Sequence, residues 1–120
     1  MFGHKNWVFC DGDLPPKGDN PDFPGHEALM ITNVSDLDAK IRIKILFEDK
    51  DPYDKITLEL KAERTICLRL DKPIGKEGYQ IPYGQYAIHV ISDVPVVACF
   101  GRLDVRQTNM AYYSPAGYGF

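Results

Sequence analysis

Cysteine chemistry is scarce in this chain. Its three cysteines, Cys10, Cys67 and Cys99, are widely spaced and form no CxxC pair, which excludes a local zinc knuckle or dithiol motif and predicts buried thiols in a reducing cytoplasm. Positive charge is not in excess either. The 14 Lys and Arg against 17 Asp and Glu leave a formal −3, so there is no general phosphate-neutralising surface, and nucleic acid is disfavoured as a partner unless a local basic patch forms. No apolar run reaches the ~18 residues of a spanning helix, and the opening MFGHKNWVFC lacks a secretory apolar stretch, so neither export nor membrane insertion is expected. Without that route the sequon Asn33-Val34-Ser35 reads as chance. His4, His26 and His89 have neither His-x-His nor HExxH spacing. A nucleophile paired with a base and a Gly-rich phosphate loop are also missing, so no metal, no cofactor and no enzymatic activity are expected.

Helical periodicity is missing as well: no segment before Leu103 repeats apolar residues at i, i+3, i+4 and i+7. What is present is alternation. Ala39, Ile41, Ile43, Ile45 and Phe47 alternate with Lys40, Arg42 and Lys44, as a strand with one wet face requires. Ile56, Leu58 and Leu60, then Ile66, Leu68 and Leu70, repeat the pattern. Glu27 to Val34 reads as a buried strand, and Tyr86 to Ile91 and Val94 to Leu103 as two more, broken at Ser92-Asp93. The segment 11–25, with Pro15, Pro16, Pro21 and Pro24 among glycines, reads as a loop, as does 71–84 with a short extended piece at Tyr79 to Ile81. At 120 residues this is one domain, 1–120. Its fold class is all-β: an antiparallel β-sandwich, jelly-roll-like, in which Asp104 and Gln107 cap a short C-terminal helix or 108–120 form a flexible tail.

The most unusual local feature is RLDVRQ, 102–107, directly after the apolar stripe Val94, Val96, Ala98, Phe100. A continuing strand sets Arg102, Asp104 and Arg106 on that stripe's face about 7 Å apart. Arg forks there can grip a carboxylate, phosphate or sugar hydroxyl; the competing reading is an ion-pair ladder at the sandwich rim or at a subunit contact. His26 and Glu27, at the loop's entry into its strand, point to opposite sides and cannot chelate one metal. Glu27 then accepts from a nearby Arg or backbone donor, and His26 is a satisfied, partly buried imidazole. Trp7, the single tryptophan, is either a core anchor or the flat face that holds a sugar ring.

Trp7, Gly12, Pro15-Pro16, His26-Glu27, Asn33, the Ser35 to Asp38 turn, Glu48-Asp49-Lys50-Asp51-Pro52, Arg64-Thr65, Asp93-Val94-Pro95-Val96-Val97 and RLDVRQ recur in an order that resembles the sensory rhodopsin transducer family, from about residue 4 to 115. The resemblance implies a cytoplasmic, non-catalytic β-sandwich that assembles as a homo-oligomer, commonly a tetramer, and binds a small molecule, a sugar or related metabolite. By position it implies pocket roles for Trp7, His26, Glu27, Asn33, Arg64, Arg102, Asp104, Arg106 and Gln107. The first expectation is therefore a ligand-sensing module. The alternative is an oligomeric signalling adaptor whose arginines serve subunit contacts and whose tail docks on a receptor, and a third reading is DNA binding by a basic patch formed in the oligomer.

Overall fold

The computed structural model describes residues 2–107 and 109–120. Eight strands follow one another: β1 His4–Leu14, β2 His26–Asn33, β3 Ala39–Leu46, β4 Tyr53–Leu60, β5 Arg64–Arg69, β6 Gly84–Asp104, β7 Ala111–Tyr113 and β8 Tyr118–Gly119. All pairings are antiparallel, and the described residues contain no helix. The first sheet runs β4-β3-β6-β1-β8; β6 also pairs with β2 and β7, and β2 with β5, which makes a second sheet.

β6 is one strand of 21 residues that belongs to both sheets. Ala87 to Ser92 pair with β3, while Val97 to Leu103 pair with β2. Ser92-Asp93, expected to end a strand, instead mark the crossing from one sheet to the other. Val94 and Pro95, just beyond, have no ladder partner among the described residues, so the donor that Pro95 lacks is not missed. The alternation read in the sequence reappears as burial. Ile41, Ile43 and Ile45 of β3 meet Ile56, Leu58 and Leu60 of β4, Ile88 and Val90 of β6 and Leu29 and Ile31 of β2 in one core. Each such side chain contributes about 1.5–3 kcal/mol on leaving water.

Three further expectations need correction. The segment from Asp11 is not all loop, because β1 continues through Leu14, with a register shift between Phe9 and Gly12 that absorbs the irregular sequence. The short extended piece expected at Tyr79 to Ile81 amounts to a single bridge from Tyr79 to Ile74, and the Tyr79 ring stacks on Tyr53 at 3.8 Å. The C-terminal segment is neither helix nor free tail. β7 pairs with Arg102 to Asp104 and β8 with Trp7 and Val8, so the chain end straps the two sheets together. Gly117 lets it lie against Phe9, whose ring would stand 2.4 Å from any Cβ there. Finally, Cys10, Cys67 and Cys99 are exposed, not buried, because each sits at an outward position of its strand.

The charged end of β6 as candidate functional site

Glu27 is the centre of the candidate site. It lies at the start of β2 opposite Arg102 of β6, on the inward face, and is completely buried. Its Oε1 accepts from the Tyr86 hydroxyl at 2.5 Å, and its Oε2 from the Asp13 amide at 2.9 Å and from Arg102 Nη1 at 3.4 Å. Burial pushes its carboxyl above the usual range, and these three donors oppose the rise. Burial and the adjacent Glu27 charge likewise push the Tyr86 phenol far up, so it stays a donor.

Arg102 is buried too, and its guanidinium reaches outward only as far as β1. It donates to the Asp11 carbonyl at 3.3 Å and to Asp11 Oδ2 at 3.4 Å, and it lies 5.1 Å from the Tyr113 ring centre of β7. Its Nε has no partner among the described residues. β6 ends at Asp104, so the expected three-residue row is a pair. Arg106 follows in a bend and folds back, its backbone N–H donating to Asp104 Oδ1 at 2.9 Å and its Nε to both carboxylate oxygens at 3.1 and 3.0 Å. Its Nη2 bonds Asp104 and, at 3.3 Å, Asp13. Asp104 therefore closes a turn rather than capping a helix, and Gln107 Nε2 donates to its carbonyl at 3.2 Å. The Arg106 guanidinium holds the Asp104 carboxyl below the ordinary carboxylate range.

Glu27, Arg102, Asp104, Arg106 and Gln107 are thus brought together with Tyr113, and with Asp11, Asp13 and Tyr86, which sequence reasoning did not single out. The chemistry is self-contained: the carboxylates of Asp11, Asp13, Glu27 and Asp104 surround two guanidinium groups. The other expected residues lie elsewhere. His26 is on the opposite face from Glu27, its Nδ1 donating to the Pro24 carbonyl at 2.7 Å. Trp7 lies beside the β6 crossing, its Nε1 donating to the Val96 carbonyl at 2.9 Å and its ring stacked 6.3 Å from Phe9. Asn33 and Arg64 face each other at the far end of β2, more than about 20 Å of strand from Glu27. The buried Asn33 amide donates to the Leu37 and Leu60 carbonyls at 2.7 and 3.2 Å, and its Oδ1 accepts from Ser35, which builds the β2–β3 turn.

A cleft of about 270 Å³, lined in part by Asp11, Gly12 and Tyr86, borders this cluster, and other clefts lie away from it. One of about 370 Å³ is lined by Thr32, Asn33, Val34, Glu63, Arg64 and Thr65, and one of about 630 Å³ lies across β3, β4 and β6. Among the described residues no three His, Cys, Asp or Glu side chains are grouped to hold a metal ion, and no helix is long and apolar enough to cross a membrane.

Residues 2–119 match the family model of the Anabaena sensory rhodopsin transducer. The chain belongs to that transducer family. Two solved structures are similar to it. The crystal structure of Thermotoga maritima 1070 shares 38% identity over 100% of this chain and 97% of its own, with a TM-score of 0.85. The Anabaena sensory rhodopsin transducer shares 33% identity over 88% of this chain and 92% of its own, with a TM-score of 0.73. No curated protein matches the chain. The all-β fold with its long shared β6 is thus the fold of a transducer family member, and Glu27 and RLDVRQ do in this member what charged residues at the end of a core must do, pair with one another.

Proposed function

We propose that residues 1–120 act as a single-domain, non-catalytic signalling adaptor of the sensory rhodopsin transducer type, which works in the cytoplasm as a homo-oligomer, commonly a tetramer, and docks on a membrane receptor. The observation that carries this reading is the family match over residues 2–119 together with the 33% identity to a protein named as such a transducer. The β6 cluster supports it from the other side: Arg102 and Arg106 are engaged by carboxylates of their own chain, which leaves little for an incoming ligand. Titration of the protein onto a detergent-solubilised sensory rhodopsin, followed by calorimetry, tests the reading. Saturable binding is expected, and absence of binding across such receptors sinks it. Light scattering on Arg106→Ala then separates roles: loss of the oligomer places the β6 end at subunit contacts, and an intact oligomer confines it to the fold.

A second reading, a sugar-binding module, is favoured by one separate observation. Arg64, exposed, gives its Nη1 only to the Ala62 and Glu63 carbonyls, and it shares the 370 Å³ cleft with Asn33 and the Thr32 and Thr65 hydroxyls. The Thr32 and Thr65 hydroxyls bond each other and the Ile31 carbonyl, so the exposed Arg64 guanidinium is the donor that suits this cleft to a small polyhydroxyl ligand. Thermal-shift screening against sugars and sugar acids decides it: a shift that Arg64→Ala abolishes supports this cleft as the site, and no shift excludes it.

A further inference from the structure

The outer face of the first sheet carries an unusual distribution of charge. Lys40, Arg42 and Lys44 all point away from the core, because Ile41, Ile43 and Ile45 between them are buried. Their i, i+2, i+4 positions set the three cations about 7 Å apart along β3. Lys40 stands opposite Glu59 of β4, whereas Arg42 stands opposite Thr57 and Ile91, and Lys44 opposite His89. None of the three makes an ion pair among the described residues. Burial, and then the positive charges of Lys44 and Arg42, hold the His89 imidazole below its ordinary range, which places both cations over the same patch of sheet.

This patch is bounded on both sides. Toward β4 it opens into the cleft of about 630 Å³, whose far wall carries Lys76. Toward β1 and β8, the Phe120 ring lies 6.1 Å from His89 and the Tyr118 ring 5.6 Å from Phe120, and both aromatics are more than half exposed. The sheet offers no simple extension at its β4 edge. Lys76 donates its N–H to the Thr57 carbonyl at 2.9 Å, and Glu77 accepts the Thr57 N–H at 3.1 Å, so the middle of that edge is already occupied.

We propose that this face docks an extended acidic peptide segment of the signalling partner, with carboxylates at alternate positions opposite Arg42 and Lys44 and an apolar residue against Tyr118 and Phe120. The proposal rests on the adaptor reading and names the chemistry of its partner. An extended peptide repeats its side chains on one face at the same ~7 Å interval as β3, so its acids meet the cations in register. A nucleic-acid duplex fits poorly: it carries a charge every ~1.7 Å, about eight along the ~14 Å from Lys40 to Lys44. Against that stand three cations, with Glu59 and Asp93 lining the same cleft.

Fluorescence anisotropy with a fluorescein-labelled peptide of alternating Glu and Thr ending in Leu tests the proposal, with its Lys-for-Glu counterpart and a DNA duplex as competitors. The acidic peptide should bind, and added salt should weaken it, because the face is open to solvent. Arg42→Glu with Lys44→Glu should weaken binding by at least about tenfold, and the Arg42→Gln, Lys44→Gln pair should fall between, both at unchanged thermal unfolding. Absence of peptide binding, equal affinity in both double variants, or tighter binding of the duplex through these residues would overturn it. The peptide assay reads the face alone. A receptor complex that survives both double variants would remove this face and leave the adaptor, while peptide binding without any receptor complex would remove the adaptor and leave the face.

Discussion

Glu27 shows how one residue can organise the end of a core. A buried carboxylate is tolerated only with donors around it, and here a phenol, an amide and a guanidinium converge on its two oxygens. Glu27→Gln replaces one acceptor by a donor that must face Tyr86 or the Asp13 and Arg102 donors, so it should cost about 1–3 kcal/mol in urea unfolding at neutral pH. Asp104 supplies the opposite dependence on pH. Its carboxyl is held below the ordinary 3.8 by Arg106, so its ionised form stabilises the fold above that value and the contribution is lost as pH falls through the lower folded value. Glu27, raised by burial, adds stability below its ordinary 4.5 that is lost as pH rises through its folded value. Asp104→Asn should therefore be less stable at neutral pH and lose less on acidification than the wild type, which urea melts across the acid range will show. At this scale the sequence was informative about Glu27 as an acceptor for an Arg and His26 as a satisfied imidazole, because strand alternation alone puts them on opposite faces. It was silent on Tyr86, Asp11 and Asp13, whose approach depends on pairing across 14 to 93 residues of chain.

Among the elements, β3 and β4 were legible because one face of each is wet and the other dry, which writes the period into the residues; β5 carries the same period with Ile66 and Leu68 only half-buried, and β2 was legible as an apolar, β-branched run. β6 was harder. Its burial keeps period two through Ser92, but Ser92-Asp93 reads as a break between two strands, and only the presence of a second sheet makes a continuous strand the better solution. β1 was missed for another reason: it is irregular between Phe9 and Gly12 and ends among prolines. Gly12 has a definite task at that irregularity, since a Cβ there would stand 2.7 Å from the Tyr86 ring and carbonyl. Gly12→Ala should push Tyr86 away from Glu27 and destabilise by about 1–3 kcal/mol, with thermal denaturation as the check. The C-terminal strands are short, and their Tyr and Gly content has no period, so it is their pairing with β6 and β1 that distinguishes them from a loose tail.

For the whole molecule, fold class and family were legible while the working surface was not. The nine residues that the resemblance implied fall into separate places: the β6 end, the Asn33 and Arg64 cleft, the His26 contact with Pro24 and the Trp7 contact with Val96. What joins Arg102 and Arg106 is mutual neutralisation with acids from β1, β2 and β6, so the transducer-type reading puts function on outer faces and leaves that end to hold the sheets together. Urea unfolding of Arg102→Ala tests this most directly. Removing the buried guanidinium strands the Glu27 charge, and breaking such a pair costs about 3–5 kcal/mol at neutral pH. The deficit should shrink between neutral and acidic pH, as protonation of the raised Glu27 carboxyl relieves it. A variant as stable as the wild type at both pH values would contradict the account and return Arg102 to the role of a free ligand-binding fork.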